Sequence, residues 1–216
     1  MVNGKQPGSP LRSRLAFFLE FLRAPLQIGS VTPSSHFLEQ RVLKIADIGT
    51  ARCIVELGPG TGGTTQAMLR AMSPRAKLLS IEINPHFYHM IRKISDQRLI
   101  AHLGSACDLH QILDHHGLDA PDVIVSGIPF STMKRDTGSA ILAGISAQLA
   151  PAGRFVAYQA SDRVMSLCQP FLGAGRTELE LLNIPPMRVF HWQKPGSRTG
   201  TRDTSAGSGD DMEPAA

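Results

Sequence analysis

The chain reads as an α/β protein: a mostly parallel, seven-stranded sheet with helices on both faces, preceded by an amphipathic helix. Three observations predict this. An apolar strand runs straight into a glycine-rich turn, Ile54-Val55-Glu56-Leu57-Gly58-Pro59-Gly60-Thr61-Gly62, with a helix behind it. Short apolar strands then alternate with helical stretches, the pattern of parallel strands joined by crossover helices. Two late strands, around Glu178–Asn183 and Arg188–Trp192, flank Ile184-Pro185-Pro186 and look like the pair that closes the sheet.

Composition sets the outer limits. The 216 residues suffice for one α/β domain with a core of its own. Hydrophobic content of 42% and charged content of 19% are ordinary for a globular protein. Cys53, Cys107 and Cys168 are odd in number and form no C-x-x-C, which argues against a disulfide framework or a zinc site and fits a reducing cytosol. No apolar run is long enough to span a bilayer, and no small-residue cleavage site follows the first apolar run. The net charge of +4 gives a mild bias toward anionic partners.

Residues 1–10 are polar and rich in glycine and proline, a composition that predicts disorder. In Leu11–Ala24, Leu11, Leu15, Phe18 and Leu22 recur at helical spacing, and Phe17 and Phe21 widen the apolar face. Arg12, Arg14 and Arg23 face a single acid, Glu20, and Pro25 ends the helix. Such a helix is suited to lying in a membrane interface. It could equally pack its Phe/Leu face on the domain, or alternate between the two. The polar loop 26–36 brings Ser30, Thr32, Ser34 and Ser35, short hydroxyls able to cap a helix or to contact a ligand. Ser34 or Ser35 is the expected N-cap of a helix over 37–48. The predicted organisation is therefore a disordered start (1–10), a helix and loop (11–36), a domain (37–194) and a glycine-, serine- and acid-rich disordered tail (195–216).

Within the domain, the first strand is followed by a helix over 64–72, and Lys77–Glu82 is the second strand. Glycines let the turn be tight and let a ligand lie against bare backbone, with free N–H groups at the helix start. Glu56 would repel a pyrophosphate but suits a cationic or hydroxyl-bearing ligand. Its spacing, E-x-G-x-G-x-G, differs from the dinucleotide fingerprint G-x-G-x-x-G. Glu82, 26 residues beyond Glu56 at the end of strand two, is placed to accept both ribose hydroxyl protons of an adenosine. Pro85 opens a helix to Ile94, and Leu99–Leu103 is the third strand. The loop Gly104-Ser105-Ala106-Cys107-Asp108 would cover the adenine, with Ser105, Ala106 and Asp108 as candidates. Strand four, 122–125, ends in Ser126-Gly127-Ile128-Pro129-Phe130-Ser131, where a doubly wound sheet reverses strand order and meets its reacting partner. Helices at 137–149 and 163–171 bracket strand five, 154–158. The eight histidines form no H-x-x-x-H; His115 and His116 read as solvated, and no metal is expected. No serine or cysteine sits in a nucleophile elbow.

With these residues placed, the chain resembles the bacterial phospholipid N-methyltransferases, Rossmann-like enzymes of class I that use S-adenosylmethionine and methylate phosphatidylethanolamine stepwise toward phosphatidylcholine. The resemblance runs from about Leu15 to Trp192. It rests on the amphipathic helix, Gly29-Ser30-Val31-Thr32-Pro33-Ser34-Ser35, Val55–Gly62, Ile81-Glu82-Ile83-Asn84-Pro85, Ser126-Gly127-Ile128-Pro129 and Asn183-Ile184-Pro185-Pro186. It implies that Glu56, Gly58, Pro59, Gly60, Thr61 and Gly62 hold the methionine part of the cofactor. It further implies that Glu82 and Ile83 lie at the ribose, Ser105 and Ala106 at the base, and that Ser34 and Ser35 close over the cofactor. Ser126, Gly127, Ile128 and Pro129 form the reacting side, with Ser126 also touching the cofactor. An anionic membrane surface at the inner face of the cytoplasmic membrane is the implied partner, with a phospholipid substrate, no nucleic acid, and a monomer.

A more distant resemblance is to the ribosomal RNA adenine N6-dimethyltransferases, whose strand-four turn of the type Asn-Leu-Pro-Tyr grips the base. Here that turn is Gly127-Ile128-Pro129-Phe130: the amide is missing, although Phe130 could stack on a base. A membrane-associated, cofactor-binding module without catalysis is the third reading. In the first, Ser126, the carbonyls of the Ile128-Pro129 turn or a water could take the amine proton.

Overall fold

The computed structural model describes residues 35–183 and 185–196. The expectations for residues 1–34, including the helix Leu11–Ala24 and Ser34, and those for Ile184 and the tail from 197 lie outside the described residues.

Helix α1 (His36–Ala46) leads into β1 (Cys53–Leu57), α2 (Gly63–Ala71), β2 (Lys77–Glu82), α3 (Pro85–Ile91) and β3 (Leu99–Leu103). A 3-10 turn (Ala106–Asp108) and α4 (Leu109–His115) follow. The chain continues through β4 (Val123–Ser126), α5 (Arg135–Gln148), β5 (Arg154–Gln159), α6 (Arg163–Leu172), β6 (Arg176–Glu180) and β7 (Met187–Gln193). The strands form one seven-stranded sheet in the order β3-β2-β1-β4-β5-β7-β6. β1 pairs in parallel with β2 and β4, and β7 runs antiparallel to both β5 and β6. Strand order therefore reverses between β1 and β4, the position at which open α/β sheets bind ligands.

Alternation along the strands divides the core between the two faces. Val55, Leu57, Ile124 and Phe155 point to one face, packed with Ile112 of α4 and Ile141 and Ile145 of α5. Ile54, Val123, Val125 and Val156 point to the other, packed with Leu38 and Val42 of α1 and Met68 of α2. Local chemistry starts the helices where they start. The Ser35 hydroxyl accepts the Leu38 N–H at 3.2 Å. Asn84 does the same for His86 at 2.8 Å, with Pro85 in the first turn.

Leu109–His115 is a helix that the sequence reading leaves unassigned: Leu109, Ile112 and Leu113 repeat at helical spacing and bury against α5. Two expectations need correction. α3 stops at Ile91, not Ile94. β6 ends at Glu180 rather than Asn183, because the Glu180 carboxylate turns back to accept the Leu182 N–H at 2.9 Å. The other boundaries agree within one or two residues.

Candidate functional site

The glycine turn after β1 holds its shape with Gly58, Gly60 and Gly62 at φ values of 72°, 56° and 88°, a region that side chains disfavour. At Gly62 a Cβ would also lie 2.8 Å from the Ile91 side chain, so the turn and α3 could not pack as they do. Beneath the turn sits Glu56, fully buried. Its Oε2 accepts from the Thr65 hydroxyl at 2.7 Å and from the Ser80 hydroxyl at 2.9 Å, while Oε1 has no partner. Burial pushes the Glu56 carboxyl up to about 7, against the pull of the two hydroxyls. Glu82, also buried, accepts the Gly60 N–H at 3.2 Å and the Asn84 N–H at 2.8 Å. Its pKa is raised by burial and held back by those backbone donors. Gly104 N–H bonds to the Glu82 carbonyl at 2.9 Å, which brings the Ser105–Ala106 segment to the same sheet end.

A buried carboxylate oxygen without a donor is costly, and it calls for a cationic or N–H group. The ammonium of an S-adenosylmethionine is such a group, so the residues present fit this cofactor. Glu56 and the glycine turn would hold its amino-acid end, and Glu82 its ribose.

The turn after β4 lies directly against the glycine turn. Gly127 N–H bonds to the Leu57 carbonyl at 2.9 Å. A Cβ on Gly127 would lie 2.8 Å from the Gly58 carbonyl and 2.7 Å from the Tyr158 hydroxyl, so only glycine fits. Ser126 is buried, and its hydroxyl accepts the Ile128 N–H at 3.2 Å: it shapes the turn rather than facing an open site. Ile128 and Pro129 are half-buried. Phe130 does not present a stacking surface; it is buried in the core, with its N–H on the Gln159 side chain at 3.1 Å.

Sequence reasoning missed Tyr158. Near the end of β5, its hydroxyl stands 3.3 Å from the Thr64 hydroxyl and closes on Gly127. Its signal was its position: a polar-tipped aromatic at the end of the strand beside β4. Thr65 and Ser80, the hydroxyls that hold Glu56, were missed too.

Other candidates do structural work. Ser35 caps α1, and its own N–H bonds to Asn183 Oδ1 at 2.9 Å. Ser105 accepts the Cys107 N–H at 3.2 Å, with Ala106 opening the 3-10 turn. His116 is not simply solvated: its Nε2 meets Nδ1 of His102 at 3.0 Å, and both rings have lowered pKa values, chiefly through burial. Burial also pushes the Cys53 and Cys168 thiols up to about 11 and about 12, so neither is a thiolate nucleophile. Among the described residues, no group of three His, Cys, Asp or Glu side chains could hold a metal ion. Among them, too, no helix is long and apolar enough to cross a membrane.

No family profile matches the chain. It is 30% identical, over 144 residues, to the ornithine lipid N-methyltransferase of Singulisphaera acidiphila, a match spanning 64% of this chain and 75% of that protein. The fold is shared with the N-methyltransferase NodS of Bradyrhizobium japonicum in complex with S-adenosyl-l-homocysteine. That likeness has a TM-score of 0.61 and 12% identity, over 83% of this chain and 98% of that one. It is shared also with the precorrin-6y C5,15-methyltransferase of Geobacter metallireducens (TM-score 0.56, 16% identity, 73% and 88% of the two chains). The sheet order, the buried acids around the glycine turn and this sequence relationship together show that the chain belongs to the lipid N-methyltransferase family of class I, S-adenosylmethionine-dependent enzymes.

Proposed function

We propose that the protein transfers methyl groups to the primary amine of phosphatidylethanolamine, and then to its mono- and dimethyl forms, at the inner face of the cytoplasmic membrane. The observation that carries this reading is the turn after β4. It offers an amine the half-buried Ile128 and Pro129 and the Tyr158 hydroxyl, while Phe130 is locked in the core. A flipped base needs a stacking surface and an edge partner, and neither Phe130 nor Gly127 supplies one. A second reading follows from the Singulisphaera acidiphila relative: the acceptor is ornithine lipid, which carries a primary amine as well.

When bound, S-adenosylmethionine supplies an electrophilic methyl on a sulfonium. This chain's residues must hold the neutral amine in line with that methyl, about 3 Å away. The Tyr158 hydroxyl can accept one amine N–H and so aim the lone pair. The Ile128-Pro129 turn, with no carboxylate, tolerates the growing bulk of methylated amines. The expected monomer would act as a peripheral protein, with the Leu11–Ala24 segment in the lipid interface.

The test is methyl incorporation from labelled S-adenosylmethionine into three separate acceptors: phosphatidylethanolamine vesicles, ornithine lipid vesicles and ribosomal RNA. Label in phosphatidylethanolamine is the expected result. Label in ornithine lipid alone would move the substrate to the second reading, and label in RNA alone would overturn both.

A further inference from the structure

The described residues expose six large apolar side chains; Leu181, Leu182 and Phe37 lie at one corner, and Leu179 stands on the other face of the strand that leads to it. Leu179 (47% exposed) lies near the end of the edge strand β6. Leu181 (67%) and Leu182 (61%) form the turn after it, and Phe37 (53%) opens α1 beside that turn. The proximity is fixed by Ser35 N–H on Asn183 Oδ1 at 2.9 Å and by Arg41 of α1 on Glu178 and Glu180, both at 2.8 Å. Exposed apolar groups gathered in this way mark an interaction surface.

We propose that Leu181 and Leu182, with Phe37 at their flank, are a second membrane contact built into the folded domain, so that a bilayer meets the same end of the sheet as the substrate turn. This rests on the lipid-acceptor reading above and names the surface through which the lipid is approached.

Four observations select a bilayer as the occupant. The leucines stand out on a turn; they are a convex tip, suited to insertion in a soft medium rather than to seating a helix. The acids nearest them are offset, since Arg41 binds both Glu178 and Glu180, and the exposed Arg188 is the cross-strand partner of Leu179. An anionic surface therefore meets no net negative charge among these four side chains. β6 runs in the same direction as β5, because each is antiparallel to β7. The tip thus lies at the carboxyl end of the sheet, three strand spacings, or about 14 Å, from β4. Finally, the 34 residues that precede the described chain join it at Ser35, one hydrogen bond away from this turn. The basic, phenylalanine-rich stretch Leu11–Ala24 precedes this corner in the chain, and two weak anchors on one chain reinforce each other.

The experiment uses the full chain and vesicles of equal parts phosphatidylglycerol and phosphatidylethanolamine. In the double variant Leu181→Asp, Leu182→Asp, the fraction floating with vesicles should fall by about 10-fold or more. Affinity for S-adenosyl-L-homocysteine and methylation of a short-chain phosphatidylethanolamine dissolved as monomers should stay unchanged. A second variant, Leu181→Trp, gives a direct reading. The chain's one native tryptophan, Trp192, is buried, so a blue shift of emission on adding vesicles reports insertion at the new position. Unchanged flotation of the double variant, or no shift in Leu181→Trp, overturns the proposal. So does a wild-type dimer that the double variant converts to a monomer while flotation is kept, since the patch would then join two copies. Lost flotation in the variant, with no methylation of the dissolved lipid by wild type, supports the membrane contact while removing phosphatidylethanolamine as the acceptor.

Discussion

The two halves of the site are built from opposite materials. On the cofactor half, at the ends of β1 and β2, two carboxylates are buried and held by hydroxyls and backbone N–H groups. On the acceptor half, at the turn between β4 and the end of β5, a glycine, an isoleucine, a proline and a tyrosine hydroxyl meet, and the turn Gly127-Ile128-Pro129-Phe130 itself carries no acid. The difference follows from charge. The cofactor half takes a ligand bearing an ammonium and ribose hydroxyls, so buried acids gain partners on binding. On the function proposed above, the acceptor half takes an amine that must be neutral when it reacts, and a carboxylate there would favour the charged, unreactive form.

The largest test of this contrast is Glu82→Ala. It removes the carboxylate that receives Gly60 and Asn84 and is placed for the ribose. Charged hydrogen bonds of that kind are worth roughly 1.5–3 kcal/mol each, so cofactor affinity should fall about 100-fold or more by calorimetry. Unchanged affinity would place the ribose elsewhere.

Glu56 should give a pH signature of intermediate size. Its folded pKa is raised to about 7 from 4.5, chiefly by burial. Between those values the unfolded chain has lost a proton that the folded chain keeps, so the ligand-free protein loses stability as pH rises from about 4.5 to about 7, by roughly 3 kcal/mol from this group. Glu56→Gln should remove that pH dependence in thermal melts and weaken cofactor binding. Identical melting profiles for both proteins across the range would show that the buried acid is not titrating.

Tyr158→Phe is the smallest expected change. Losing one neutral hydrogen bond of about 1 kcal/mol should lower kcat about 5-fold, with cofactor affinity intact. A fall in cofactor affinity with kcat unchanged would move Tyr158 from the acceptor half to the cofactor half.

How legible each half was in the sequence follows the same division. The cofactor half could be read because its chemistry is local: Glu56 and three glycines lie within seven residues, and Glu82 ends a strand of plain apolar pattern. The hydroxyls on Glu56 come from α2 and from β2, and only the β1–β2 register of Glu56 opposite Ser80 brings the second one in. The acceptor half is assembled from β4 and β5, so Tyr158 became visible only when parallel pairing set Ser126 beside Ala157. Phe130 misled for a similar reason. A phenylalanine next to a substrate turn reads as a stacking group until its side chain proves to lie in the core. α4 was obscured by its two closing histidines, although Leu109, Ile112 and Leu113 already carried the helical period.

Asn183 has a mechanical meaning beyond its two hydrogen bonds. Its carbonyl holds the Ser35 N–H, and its amide donates to the Pro185 carbonyl at 2.8 Å. One side chain thus fastens the start of α1 to the turn that follows β6. A pull on Ser35 therefore loads that turn as well as α1. The Ser35 amide is accordingly a strain gauge: its hydrogen exchange rate reports when the latch between leading segment and domain lets go.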